Sequence, residues 1–459
     1  MTGAAKLPLA VAAAGRYYRF TTVKVHYVMP RWMHALIVAA IAFYGEAQAQ
    51  EPPDGFLGDW GGLRTILANH GVDLELSYIN EAASNLRGGS AQETQDAEQM
   101  YFGGSLDLEQ LAAVPGAKLI FSFTDRNGQS LSVKAKLNTL LEVQEIYGEG
   151  NWLRLNQFYW QQQLFDGRAE LKFGRLSGTF DFMPFSCKFQ NIAFCATLPS
   201  HNVVANWTAF PGSTWAGVAR VNLDSDWYLK AGVYEINPYF ANYQYRVAFG
   251  APFGGLGKRS VAEGGWLPKT AGPDGGYRLG AWYDDVRGDD LYFNVGGQPL
   301  ATRGGVPLRR KQESGFYAMA QQRLWAPKDA NSRAISLFFN FVQTDHNISK
   351  IGRITELGLF WTGPLSARPN DDLGVAVGLI RVNNKVAQGE LLYDLQSVPL
   401  LGVVPAPVQR VEFPTELYYS VNVTPAITLR PNIQFIHAPG GVSDRVGVIV
   451  LGIHSSVQF

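Results

Sequence analysis

The most constraining feature of this chain is a two-residue alternation that runs to its last residue. Counting back in twos from Phe459 gives Val457, Ser455, Ile453, Leu451 and Ile449, an apolar face, while Gln458, Ser456, His454 and Gly452 are polar or small. Successive side chains of a strand point to opposite faces of its sheet, so this stretch reads as a strand with one face in an apolar medium. A terminal strand of a soluble β-sandwich would share the pattern. The position sharpens it: a long strand ending on Phe459 is expected to close a bacterial outer-membrane barrel and to be read there by the barrel-assembly machinery.

The same alternation recurs along the chain. In Val72 to Tyr78, Val72, Leu74, Leu76 and Tyr78 alternate with Asp73, Glu75 and Ser77. In Tyr101 to Leu111, Phe102, Leu106 and Leu108 oppose Tyr101, Ser105, Asp107 and Glu109; in Lys118 to Arg126, Leu119, Phe121 and Phe123 oppose Ser122, Thr124 and Arg126. Trp152 to Phe165 and Ala169 to Arg175 flank Asp166-Gly167, and Ala216 to Leu223 and Trp227 to Tyr234 flank Asp224 to Asp226, so both read as hairpins. Further segments are Phe316 to Leu324, Arg333 to Val342, Ile354 to Trp361, Leu373 to Val382, Glu412 to Val423 and Ile427 to Ile436. Short turns alternate with long connections rich in Gly, Pro, Asn or Asp: Phe182 to Thr214, Phe249 to Gly276, Asp284 to Gln312 and Asn383 to Gln409. Turns on one rim and loops on the other are the signature of a transmembrane barrel. The expectation is an all-β outer-membrane β-barrel of about sixteen antiparallel strands, allowing for strands within the long connections. A barrel of that size encloses a water-filled channel unless something plugs it.

Composition agrees. Aromatic residues make up 13% of the chain and charged residues 17%, with 49 glycines, a mix suited to many strands and turns. Basic and acidic residues balance at 39 each, which excludes the basic excess of a nucleic-acid binder. No apolar run after the amino-terminal region reaches the roughly 18 residues a spanning helix needs. That region reads as a signal peptide over residues 1–49: Arg16, Arg19, Lys24 and Arg31 precede the apolar run Ala35 to Tyr44 and the cleavage signal Ala47-Gln48-Ala49. Its basic part is long, and Met29 or Met33 could be the start. Residues 50–71 form a periplasmic leader with one short helix, Asp59 to His70, capped by Asp59 and ended by Gly71. Residues 72–459 form the barrel, with no internal domain boundary. Cys187 and Cys195, eight positions apart in an exported protein, are expected to form a disulfide.

Several stretches, in order, resemble the carbohydrate-selective porins of the OprB family: Gly58-Asp59-Trp60-Gly61-Gly62-Leu63-Arg64 with Leu76-Ser77-Tyr78, Phe173-Gly174-Arg175-Leu176, and the Cys187/Cys195 loop with Phe189-Gln190-Asn191. Ala231 to Pro238, Glu416-Leu417-Tyr418-Tyr419 with Thr424-Pro425, Leu429-Arg430-Pro431-Asn432 and Pro439-Gly440-Gly441 extend the match, and Leu359 to Gly363 fits more loosely. The resemblance implies a sixteen-stranded barrel in outer-membrane lipid that passes monosaccharides by diffusion, assembled as a homotrimer. Asn383 to Gln409 does not align with it.

A sugar pore needs donors and acceptors at a narrow point, with binding weak enough for release. The charged residues on the polar parity of the strands are Glu81, Arg126, Arg154, Arg220, Lys230, Glu416 and Arg430; an Arg fork can donate to two hydroxyls at once. Arg175 lies on the apolar parity of its strand and joins the set through the resemblance alone. Trp160, Tyr228 and Tyr234 could stack against a sugar ring, or serve as an interfacial aromatic girdle. No nucleophile, zinc or phosphate-loop motif occurs. His26 and His34 fall in the expected signal peptide, and His70, His201, His346, His437 and His454 are scattered. Asp284-Asp285, Asp289-Asp290 and Asp371-Asp372 read as solvated loop carboxylates, so neither metal nor cofactor is expected. The competing functions are a non-selective porin, a barrel hydrolase with a site at the outer rim, and a secreted carbohydrate-binding β protein.

Overall fold

Strands whose outward side chains are bulky and whose inward ones are polar close on themselves in the computed structural model. It describes residues 55–459 apart from 149, 196–198, 200–202, 205, 251–253, 274, 328–332 and 402–404; the signal-peptide reading lies outside the described residues. The strands are β1 (Val72–Arg87), β2 (Thr94–Asp107), β3 (Ala117–Gly128), β4 (Leu153–Leu164), β5 (Ala169–Leu176), β6 (Thr214–Asn222), β7 (Trp227–Ile236), β8 (Gly257–Trp266) and β9 (Gly276–Asp284). They continue with β10 (Gly288–Asn294), β11 (Pro307–Arg310), β12 (Glu313–Trp325), β13 (Ala334–Gln343), β14 (Ile351–Thr362), β15 (Asp372–Val382), β16 (Val411–Thr424), β17 (Ile427–His437) and β18 (Val448–Gln458). All but β10 and β11 form one closed antiparallel barrel of sixteen strands; those two pair with each other in a connecting loop. Closure runs through β1 and β18, with Tyr78 opposite Val457 and Glu81 opposite His454.

Short turns such as 165–168 and 223–226 share one rim with Phe56 and Phe459; on the opposite rim lie the long loops L2 (129–152), L3 (177–213), L4 (237–256), L5 (285–312) and L7 (383–410). In outer-membrane barrels the short-turn rim is periplasmic. Leu171, Phe173, Leu229, Leu279, Phe316, Leu417, Leu451 and Ile453 project outward and are exposed, as lipid requires. At the short-turn end Trp227 stacks on Trp266 at 5.6 Å and Trp266 on Tyr277 at 5.2 Å, part of an aromatic girdle.

The structure corrects several sequence expectations. The first strand continues nine residues past Tyr78, to Arg87. Leu108 and Glu109 leave the second strand for a helical turn, Leu108–Ala112, capped by the Asp107 carboxylate. The expected loop Phe249 to Gly276 holds β8. Its outward side chains Ser260, Ala262 and Gly264 are too small to make an apolar face. Asn383 to Gln409 holds an 18-residue helix, Asn384–Leu401, whose Lys385 amide donates to Asn383 Oδ1 at 3.0 Å. The amino-terminal helix spans only Leu63–Asn69 after a tight turn, Trp60–Gly62. Asp59 Oδ1 there accepts the Thr65 amide at 2.8 Å. Phe56 meets the end of the chain: its amide donates to the Gln458 carbonyl at 2.7 Å, and its ring meets that of Phe459 edge-on at 6.2 Å.

One stretch of wall is incomplete. β5 stops at Leu176, where the chain turns into the lumen, so the upper end of β4 has no β5 partner. L4 fills the gap. The Leu155 amide donates to the Arg246 carbonyl at 2.9 Å, Trp215 Nε1 to the Phe249 carbonyl at 2.8 Å, and Arg154 to the Phe240 and Ala241 carbonyls at 3.1 and 2.8 Å.

These facings predict opposite outcomes for two arginine substitutions in β18. Ile453→Arg places a cation in the lipid-facing wall and is expected to destabilise the barrel by about 2–4 kcal/mol, whereas Ser456→Arg faces the lumen and is tolerated. Urea unfolding midpoints of the protein folded in detergent or bilayer check both.

Candidate functional site

Inside the barrel the backbone of the inward loops must find acceptors away from bulk water, and the wall supplies them through glutamates. L3 crosses the lumen between two such residues. On the β8 side, Glu263 Oε2 accepts the Met183 amide at 2.9 Å, while Tyr317 and Tyr228 each donate a hydroxyl to Glu263 at 2.7 Å. Gly280, opposite Tyr317, has no Cβ to block that ring. Lys230 Nζ pairs with Glu263 at 2.9 Å and bonds the Asp181 carbonyl; Asp181 in turn accepts from Lys172 at 2.9 Å and Tyr234 at 3.1 Å.

On the far side, Glu416 of β16 accepts the amides of Gln190 and Asn191 at 2.9 and 2.7 Å. These amides lie in the loop closed by the Cys187–Cys195 disulfide. Between the two ends L3 packs on the wall through rings: Phe185 on Phe338 at 4.7 Å and Phe189 on Tyr418 at 5.0 Å. L2 is held in the same manner. Glu412 accepts the Leu140 amide at 2.9 Å and the Gly440 amide at 2.6 Å. Gln144 Nε2 donates to the Glu81 carbonyl at 2.7 Å. A helical turn of L2, Leu131–Lys134, buries Leu131 against Ala83, Ile436, Val448 and Val450, which explains why those inward positions are apolar.

The residues singled out from the sequence divide into three groups. Arg126, Arg220, Lys230 and Arg430 sit on the inward parity of their strands, paired with the inward-facing Gln99, Lys230, Glu263 and His454 respectively. Arg126 Nε donates to Gln99 Oε1 at 2.8 Å, and its guanidinium lies over the L3 ring of Phe210 at 5.3 Å. Arg220 lies over Tyr228 at 4.1 Å, and Arg430 donates to the Lys188 carbonyl at 2.8 Å. Glu81 and Glu416 also face inward, yet both are fully buried behind the loops they hold. Glu81 Oε1 lies 3.2 Å from His454 Nδ1. Arg154 and Arg175 belong to the wall gap. Arg175 keeps the parity of the lipid-facing Phe173; it donates to Ser213 O at 2.8 Å and to Ala248 O, with its guanidinium 3.6 Å from the Phe240 ring centre. Among the aromatics, Trp160 is exposed on the outer wall, while Tyr228 and Tyr234 are packed behind L3, so none of the three offers a free face to the lumen. Sequence reasoning missed Glu263, Glu412, Asp181 and Gln434. Glu412 and Gln434 stood on strands already recognised, but nothing local distinguishes a glutamate that holds a loop from one that faces water.

Glu145 of L2 lies where the two loops meet, its Oε2 3.6 Å from Cys195 Sγ. Burial, and then the neighbouring Glu81 carboxylate, push its carboxyl up to about 7.

A closed barrel of this size, with a polar lumen narrowed by inward loops, defines a porin. A family model described as the carbohydrate-selective porin, OprB family, matches residues 91–459. Porin B of Pseudomonas aeruginosa is 36% identical over 420 residues, covering 88% of this chain and 91% of that protein. The putative porin QuiX of Acinetobacter baylyi is 29% identical over 421 residues, covering 88% and 92%. The high-pH structure of Pseudomonas putida OprB superposes with a TM-score of 0.85 at 33% identity, covering 90% of this chain and all of that one. The chain belongs to the carbohydrate-selective porins of the OprB family, bacterial outer-membrane channels rather than enzymes.

The Glu145 environment carries a pH dependence with a definite sign. Its carboxyl is held above the ordinary value of 4.5, so the folded chain binds this proton more tightly than the unfolded one. Its contribution is whole below about pH 4.5 and is lost as pH rises through about 7. Glu145→Gln is expected to flatten the unfolding midpoint across that window relative to the wild-type protein, read by urea titration at several pH values.

Proposed function

We propose that the pore passes monosaccharides such as glucose by passive diffusion and that Arg126, itself only 5% exposed, helps to set the narrow point by holding Phe210 of L3. The observation that carries this reading is the placement of Arg126 against Phe210 of L3, the loop that spans the lumen between Glu263 and Glu416. The Nε bond to Gln99 fixes the guanidinium plane against that ring. Arg220, Lys230 and Arg430 would supply the donors of the polar wall below it, whereas Arg154, 2% exposed, is spent on the carbonyls of L4. No covalent step is required. Solutes cross by exchanging water for these groups, and fast release needs each contact to be weak.

Insertion through the barrel-assembly machinery by way of the strand ending at Phe459, and assembly as a homotrimer, are the remaining parts of the proposal. The mass of the detergent-solubilised particle tests the trimer. Its support is general porin behaviour together with the small outward side chains Gly217, Ala219, Ala231 and Ala262, which would let a second wall approach closely.

Solute entry into liposomes carrying the folded protein tests the transport reading. Glucose is expected to enter faster than a disaccharide, a neutral amino acid or a charged solute of similar size. Arg126→Ala is expected to lower the glucose-to-disaccharide ratio by about tenfold, because it removes the cation that holds Phe210 of L3 in place. Equal entry of all the small solutes would leave a non-selective porin.

A further inference from the structure

We infer that Glu416 is a positioning residue for sugar selection: with the Cys187–Cys195 bond, it fixes the tip of L3 and so sets the largest solute the lumen passes. The inference rests on the sugar-porin reading and extends it from the groups that touch solute to the one that places them.

Glu416 projects inward from β16 but is 0% exposed, so it cannot itself meet a sugar. Its two oxygens are spent on two consecutive amides, Gln190 and Asn191. Adjacent amides converge on one carboxylate only where the backbone is tightly turned, and the disulfide that joins Cys187 to Cys195 encloses that turn. Asn191 completes it by capping the Ile192–Phe194 turn, with Oδ1 accepting the Ala193 amide at 3.0 Å. β17 secures the same few residues from the side. Asn432 donates to Gln190 Oε1 at 2.6 Å, Asn191 donates to Gln434 Oε1 at 3.0 Å, and Arg430 donates to Lys188 O. The tip is thus held by covalent closure within the loop, by the Glu416 carboxylate on its backbone amides, and by the β17 side chains at its flank.

Glu356 provides an internal comparison. It is also an inward wall glutamate, 1% exposed on β14, but among the described residues it bonds the Asn340 side chain at 3.2 Å and no loop amide. If burial of a wall carboxyl were all that mattered, the two residues would behave alike.

Glu416→Gln separates the possibilities. A carboxamide can accept one of the two amides but turns an NH2 donor toward the other, leaving a buried donor unpaired. The expected result is a rise of about tenfold in the disaccharide-to-glucose entry ratio in a protein that still migrates as a folded, heat-modifiable barrel. Cys187→Ser with Cys195→Ser, which leaves the wall untouched, is expected to give the same rise, and adding Glu416→Gln to it little more, because both act on one element. Glu356→Gln is expected to keep the wild-type ratio. Should Glu416→Gln not fold, Glu416→Asp, which keeps a carboxylate but withdraws it from the Gln190 and Asn191 amides, carries the test with the same expected rise. Folded variants that keep the wild-type ratio would overturn the inference, as would a Glu356→Gln variant that raises it equally. A wild-type protein that admits no glucose would instead overturn the transport reading on which this one rests.

Discussion

A buried backbone amide that finds no acceptor costs as much as several good contacts supply, and this constraint shapes the whole lumen. The closed sheet meets it for its own strands, because pairing β1 with β18 leaves no edge. L2 and L3 cannot use that solution, since the ladder positions of the wall are taken by neighbouring strands or, at the upper end of β4, by L4. They depend on wall side chains that carry acceptors, and glutamate is long enough to reach past the wall surface. Glu263, Glu412 and Glu416 each accept at least one loop amide. Where the loop surface is apolar the wall answers with rings, as in the Phe185, Phe189, Phe338 and Phe360 group.

This division explains which parts of the structure were legible in the sequence. Strands with bulky outward residues, such as β3 with Leu119, Phe121 and Phe123, declared themselves through alternation alone, and so did the closing strand. β8 did not, because its outward positions are Ser260, Ala262 and Gly264; a face need not be large to meet lipid when neighbouring side chains overhang it. The Asn384–Leu401 helix was obscured by Gly389 and Pro399, although Asn383 is a good cap.

For the candidate site, the parity of a residue could be read but its depth could not. Glu416 and Arg430 stand on inward positions, as alternation implied. Whether a loop later covers such a position depends on contacts more than two hundred residues away, for example Gln190 with Glu416. Arg175 shows the reverse. Its outward parity was legible, but its partner, L4, was not, because a loop that wraps a wall from outside leaves no periodic trace. The signals that were missed are therefore long-range pairings, and no window of consecutive residues contains them.

The early end of β5 ties two dimensions of the channel together. The chain that leaves the wall at Leu176 is the same chain that enters the lumen as L3. Each pair of residues added to β5 would raise that part of the wall by about 7 Å and take the same two residues from the span that reaches across the opening. Wall height and aperture are thus drawn from a single length of polypeptide, and L4 is what allows the balance to favour the aperture. A relative with a longer fifth strand would need less of a strap, and its lumen would be wider.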